Sequence, residues 1–257
     1  MLLENERLDK VNDKLSLIQK TDGLLFGTDA LLLAGYISSG YGLGIEFGGG
    51  SGIISMLLLS RNKLLRCECI EAQEEYATLI ERNAKLNSLD ERLKAVFKDV
   101  REYNAETEAD VVFTNPPYMK TTSGKTCEND AKNIARHEVR GDIYDFLDSA
   151  KRSLKFGGAF YAVYRPDRLA DLISAMRESG IEPKRISFVH ADESCEASMV
   201  LVEGRRGGKP ALKLTKPLLI YSDKEHKVYT DDMKYIMNEG SFPKEFNIAN
   251  TKRKAKN

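Results

Sequence analysis

The sequence predicts an α/β protein with a mostly parallel seven-stranded sheet, helices on both faces and a terminal antiparallel hairpin. Three observations carry that expectation. From Tyr41 to about Glu203, short apolar runs alternate with amphipathic helical patterns, as in strand–helix repeats that build parallel sheets covered on both sides. Several apolar runs stop at residues suited to a strand end: glycines after Phe47, Glu71 with Ala72, and Asn115-Pro116-Pro117. The last two runs, Arg185–His190 and Ser198–Glu203, read as a hairpin pair. A chain of 257 residues is long enough to bury a core of this size.

Taken in order, residues 1–40 are expected to form a hairpin, Leu15–Gln19 with Leu24–Phe26, and a helix from Asp29 to Ile37 capped by Thr28 or Asp29. Ile45–Phe47 is the first core strand, followed by a glycine turn and a helix from Ser51 to about Arg61. Leu65–Glu71 is the next strand, and Glu74–Leu86 its helix, with Tyr76, Leu79, Ile80 and Leu86 on one stripe. Lys94–Phe97 is a short strand and Asp110–Thr114 a buried one. Asp142–Leu154 is a helix, Gly158–Val163 a strand and Arg165–Glu178 a helix. Gly204–Lys209 reads as an exposed turn, and 251–257 as a frayed basic end. The expected organisation is an N-terminal extension (1–40), a main domain (41–220) and a C-terminal extension with a basic tail (221–257).

Composition narrows the class. Apolar residues make up 42% and charged residues 30%, which excludes a disordered, collagen-like or disulfide-scaffold chain. The formal net charge of zero is a cancellation: residues 1–203 carry 26 basic and 33 acidic side chains, and residues 204–257 carry 13 and 6. A basic C-terminal portion of this kind is a candidate for phosphate contacts. No run approaches the roughly 18 apolar residues that cross a bilayer, and the N-terminus lacks a signal-peptide layout. Cys67, Cys69, Cys127 and Cys195 form no CxxC pair and have no His at zinc spacing. Reduced thiols, no metal, no membrane and a cytoplasmic location are therefore expected.

Two segments carry chemistry. Glu46-Phe47-Gly48-Gly49-Gly50-Ser51-Gly52 follows the first core strand and opens a helix. Its spacing fits neither the dinucleotide loop, since Ile53 stands where a glycine is needed, nor the P-loop, which requires Gly-Lys-Ser/Thr. Glu46 suits a cationic ligand and opposes a pyrophosphate. Glu71, at the next strand end, is placed to accept from the hydroxyls of an adenosine ribose. Asp99 and Val100 repeat that logic one strand further on, with a plain turn cap as the competing reading of Asp99. The second segment, Asn115-Pro116-Pro117-Tyr118, follows a buried strand. Its prolines stiffen the backbone and remove donors, leaving the Asn115 amide oxygen and the Pro116 carbonyl as paired acceptors for one planar amino group. Tyr118 offers a ring on which a base stacks.

These residues resemble the amino-methyltransferase class of Rossmann-like, class I S-adenosylmethionine enzymes. Phe26-Gly27-Thr28-Asp29-Ala30-Leu31-Leu32-Leu33-Ala34, Ala135-Arg136-His137-Glu138, Pro217-Leu218-Leu219-Ile220-Tyr221 and Tyr229-Thr230-Asp231-Asp232-Met233 narrow the resemblance to the bacterial family that methylates N6 of adenine 37 in valine tRNA. The resemblance runs from about residue 5 to 240. It implies S-adenosylmethionine as cofactor, held by Thr28, Asp29, Glu46, Gly48, Gly50, Gly52, Glu71, Ala72, Asp99 and Val100. It implies catalysis by Asn115, Pro116, Pro117 and Tyr118, and a tRNA anticodon loop as partner. Methylation of a protein glutamine or of rRNA guanine N2 is the alternative, since related families use the same tetrapeptide. A silent RNA-binding protein is a third reading, opposed by the intact tetrapeptide.

Overall fold

The computed structural model describes residues 2–21, 23, 26–116 and 142–246. In chain order its elements are β1 (Glu6–Asn12), β2 (Leu15–Lys20), α1 (Thr28–Tyr36), β3 (Tyr41–Phe47), α2 (Ile53–Ser60), β4 (Leu64–Glu71), α3 (Glu74–Leu86), β5 (Leu93–Phe97) and β6 (Ala109–Thr114). Then come α4 (Ile143–Ser153), β7 (Leu154–Tyr164), α5 (Leu169–Glu178), β8 (Ile181–His190), β9 (Ala197–Arg206), β10 (Lys213–Leu214), β11 (Leu218–Leu219) and α6 (Asp231–Glu239).

The main sheet runs β10-β8-β9-β7-β6-β3-β4-β5, with β11 also paired to β8. Strands β3 to β7 are parallel to one another, and β9 lies antiparallel between β7 and β8. The seven long strands are those expected, hairpin included. Two-residue β10 and β11 extend the edge, and are too short to leave a periodic trace in the sequence. After β5 the chain returns to the middle of the sheet and pairs β6 with the free side of β3. Strand order reverses there, so a crevice opens between the carboxyl ends of β3 and β6.

Alternation along the central strands divides the core. Val111, Phe113, Tyr161 and Val163 join α1, α2 and α6 on one face, while Val112, Phe160 and Ala162 pack with α4 and α5 on the other. Helix α2 is buried from Ile53 to Leu59 because it lies beneath α1 and β2 as well as on the sheet. Lys63 caps the far end of α1, donating to the carbonyls of Ala34, Gly35 and Ile37 at 2.8, 3.0 and 2.6 Å.

Three local expectations are corrected. Leu15–Lys20 pairs with Glu6–Asn12, while Leu24 and Leu25 of its expected partner lie outside the described residues. Strand β1 is an exposed edge rich in charge, so it shows no apolar alternation to read; β2 is instead fixed by α3, whose Asn83 and Asn87 exchange hydrogen bonds with the backbone of Ile18 and Ser16. Helix α1 starts at Thr28 with Gly27 in the cap position and no side-chain cap. Gly204-Arg205-Arg206 continues β9 rather than forming a turn: a Cβ at Gly204 would strike Met176 and Ile181, and Arg206 pairs with Glu108 at 3.0 Å. Among the described residues, no helix is long and apolar enough to cross a membrane.

Candidate active site

The glycine loop leaves β3 at the centre of the sheet. Gly48 and Gly49 both donate to the Ile70 carbonyl, at 2.9 and 3.2 Å, folding the loop over the end of β4. Gly48, Gly50 and Gly52 have φ of 74°, 55° and 80°, a region in which a side chain is strained. Gly49 is required for a different reason: a Cβ there would collide with Cys69 Sγ and press on Ile80 at 3.1 Å. Nothing lies within 4 Å of the Cβ direction of Gly50, so its backbone faces open space.

Glu71 closes the loop from the other side. One carboxylate oxygen accepts from the Gly50 N–H at 2.9 Å and the other from the Gln73 N–H at 3.0 Å. The first of these, Oε2, keeps a second lone pair with which the buried carboxylate can accept from a ligand hydroxyl, while Oε1 also accepts from Gln73 Nε2 at 3.4 Å. The crevice around it is lined by Gly48, Gly50, Ile70, Glu71, Ala72, Gln73, Tyr76, Lys98, Val100, Asn115 and Phe146. Its character is one anionic acceptor beside a mainly apolar slot.

Asn115 forms the wall at the end of β6. Its amide nitrogen donates to Asp29 Oδ2 at 2.8 Å, across 86 residues of chain. Thr114 below it anchors β6 to β3 by donating to the Phe47 carbonyl at 2.9 Å. Because Asp29 can only accept when ionised, it fixes which end of the Asn115 amide is nitrogen and which is oxygen.

The methyltransferase small domain model matches residues 26–177, from α1 to α5. The chain belongs to the methyltransferase small domain family. A Phocaeicola vulgatus protein named tRNA1(Val) (adenine(37)-N6)-methyltransferase is 26% identical over 178 residues, covering 68% of this chain and 74% of its own. A Pedobacter heparinus protein of the same name is 24% identical over 213 residues, covering 82% and 88%. A solved structure described as a predicted O-methyltransferase, from Agrobacterium tumefaciens, aligns with a TM-score of 0.67 at 21% identity over 84% of this chain and 98% of its own. The fold is that of class I methyltransferases.

In this methyltransferase small domain, the crevice gathers Gly48, Gly50, Glu71, Ala72, Val100 and Asn115 of the sequence-predicted site. Thr28, Asp29, Glu46, Gly52, Asp99 and Pro116 are not on its wall. Asp29 acts on Asn115 instead, and Gly52 starts α2. Asp99 caps the Val100–Glu102 turn and pairs with Arg101 at 2.6 Å, which holds its carboxyl below the usual range, so its turn-cap reading is the observed one. Pro117, Tyr118, Arg136, His137 and Glu138 lie outside the described residues. Gln73, Tyr76, Lys98 and Phe146 line the crevice without having been singled out for it. Tyr76 reads in sequence only as part of a core stripe, and Phe146 arrives from α4 on the opposite side of the crevice. A wider cleft of about 590 Å³, beside the buried Arg185–Glu203 pair, opens at the amino ends of the strands, away from this site.

Glu46 faces inward. It is 1% exposed and accepts from the Ser55 N–H at 3.1 Å, from the Ser55 hydroxyl and from Cys69 Sγ at 3.5 Å. Burial pushes its carboxyl up from 4.5 to about 7, partly offset by the Ser55 bonds. Its folded value exceeds its unfolded value, so its contribution to stability is full below pH 4.5 and is lost as pH rises through 7. Glu46→Gln keeps an acceptor for Ser55 and removes the titration. The stability difference, wild type minus variant, should therefore fall by about 3 kcal/mol between pH 4.5 and 8. Urea unfolding at several pH values checks this; parallel curves would contradict it.

Proposed function

We propose that this protein is an S-adenosylmethionine-dependent methyltransferase acting on the exocyclic N6 of an adenine in tRNA, namely adenine 37 in the anticodon loop of valine tRNA. The observation that carries this reading is the Asn115 amide, oriented by Asp29 at the mouth of a crevice whose other wall is the glycine loop and Glu71. The names of the curated relatives support the same substrate. The cofactor fits the crevice: the Gly50 backbone is open, Glu71 is available to ribose hydroxyls, and Ile70, Val100 and Phe146 offer an apolar slot for adenine. When bound, S-adenosylmethionine supplies an electrophilic methyl group.

The work of the chain is then to make an amino nitrogen nucleophilic. Asn115 Oδ1 and the Pro116 carbonyl accept the two N6 protons and draw the nitrogen lone pair out of conjugation. The methyl group of the bound cofactor would pass to N6 while these two acceptors hold the amino group, and the surplus proton would then leave N6 for water, so no strong base is needed. Tyr118 holds the unstacked base by its ring face. In this reading residues 41–220 form the catalytic domain, 1–40 and 221–257 are extensions of it, and the enzyme works in the cytoplasm with its tRNA.

Valine tRNA transcripts carrying adenine or guanine at position 37 test the substrate: label should enter the first and not the second, and equal incorporation would overturn the assignment. Glu71→Gln should weaken S-adenosylmethionine binding by roughly 10–100-fold, the loss of one charge-assisted hydrogen bond of about 1.5–3 kcal/mol. Calorimetry measures it, and an unchanged affinity would remove Glu71 from the cofactor site.

A further inference from the structure

The turn after β8 and the segment after β11 bring three metal-binding groups together. The donor atoms of Asp192, Cys195 and His226 all lie within 4.8 Å of one another, the one such grouping among the described residues. Chain spacing hides it, because Asp192 and Cys195 share the β8–β9 turn while His226 stands 34 residues beyond Asp192. Asp192 Oδ2 is the meeting point: it accepts from Cys195 Sγ at 3.3 Å and pairs with His226 Nε2 at 2.7 Å.

Each donor is held from behind. Asp192 is 3% exposed, and its Oδ1 accepts from the Ser194 N–H and hydroxyl at 2.7 and 2.6 Å, which turns Oδ2 toward the thiol and imidazole. The turn bearing Cys195 is tied to His190, whose Nδ1 meets the Cys195 carbonyl at 2.9 Å. The His226 ring stacks on Tyr221 with centroids 4.8 Å apart, and its backbone adopts φ of 54°, a conformation uncommon outside glycine. One thiolate, one imidazole and one carboxylate make a set suited to a borderline-soft divalent ion, not to calcium or magnesium, which take oxygen.

We propose that Asp192, Cys195 and His226 bind a zinc ion, with water as fourth ligand. Tetrahedral zinc places such donors roughly 3.4–3.6 Å apart. The thiol–carboxylate pair is already close to that; His226, on an exposed turn, must move from Asp192 by under about 1 Å and toward the Cys195 thiol, now within 4.8 Å, by about 1 Å. Binding expels the Cys195 thiol proton to solvent and takes the neutral imidazole through Nε2. Two antiparallel reversals bring the carboxyl end of β8 to the same sheet edge as Asn115, three strands from β6. The ion would fasten the segment after β11 to that edge. This site is independent of the methyl-transfer reading.

The test uses the full-length protein, stripped with a chelator, dialysed and titrated with cobalt(II) as a spectroscopic stand-in for zinc. The expected result is one equivalent bound, with a near-ultraviolet thiolate-to-cobalt band, strong visible bands of a four-coordinate ion, and bleaching by zinc. Cys195→Ser should abolish the ultraviolet band, and His226→Gln should weaken binding at least tenfold. Zinc should raise the melting temperature of the wild type and not that of Cys195→Ser. Absence of the band in the wild type, its persistence in Cys195→Ser, or unchanged affinity in His226→Gln would overturn the proposal.

Discussion

Asn115→Ala is expected to slow methyl transfer by roughly 100–1,000-fold, the scale seen when a positioned polar group is lost from a transition state. S-adenosylmethionine affinity should stay nearly constant. The amide touches the crevice at the end of β6, whereas the glycine loop and Glu71, the proposed cofactor side, belong to β3 and β4. The substitution removes the acceptor proposed for the substrate amino group and also leaves the Asp29 carboxylate without its donor at 2.8 Å. Asp29→Asn should reproduce part of the defect, because an amide in place of the carboxylate no longer dictates the orientation of Asn115. Single-turnover rates at saturating cofactor, set beside calorimetry, separate the effects. Equal loss of rate and cofactor affinity would move Asn115 from the reaction to the cofactor site.

Gly49→Ala should destabilise the fold by about 1–3 kcal/mol through overpacking and displace the loop that carries Gly48 and Gly50. Its added methyl meets Cys69 Sγ, which is fully buried in the sheet. Cofactor affinity should fall on the order of tenfold, since a loop held by two bonds to Ile70 cannot shift without moving its N–H groups. Cys69→Ala removes the colliding sulfur, so the double variant should recover most of both losses. Thermal melting and cofactor titration of the two single variants and the double decide it. A Gly49→Ala protein with unchanged melting and affinity would mean that the loop is held elsewhere.

The parts of the site legible in the sequence are those whose meaning is local. The glycine loop, Glu71 and Asn115 each directly follow a strand that apolar run length makes visible, and parallel topology then brings them to one edge. What sequence could not convey is which neighbour each side chain chooses. Asp29 and Asn115 are 86 residues apart, and only the reversal of strand order between β3 and β6 makes them partners. Glu46 has the charge for a cationic ligand, yet Ser55, one turn into α2, draws its carboxylate into the core. Asp99 has the right position after β5, but Arg101 two residues on competes for it locally. Strand β1 was unreadable because an exposed edge strand needs no apolar alternation, and the grouping of Asp192, Cys195 and His226 because two turns far apart in the chain bring it together.

The Asn115 crevice is proposed to methylate an adenine amino group in tRNA. The direct measurement is incubation of the protein with bulk tRNA and labelled S-adenosylmethionine, followed by nucleoside mass spectrometry. N6-methyladenosine, confined to valine tRNA and strongly reduced with Asn115→Ala, is the predicted result. Label in N2-methylguanosine or in protein, with no N6-methyladenosine formed, would contradict it.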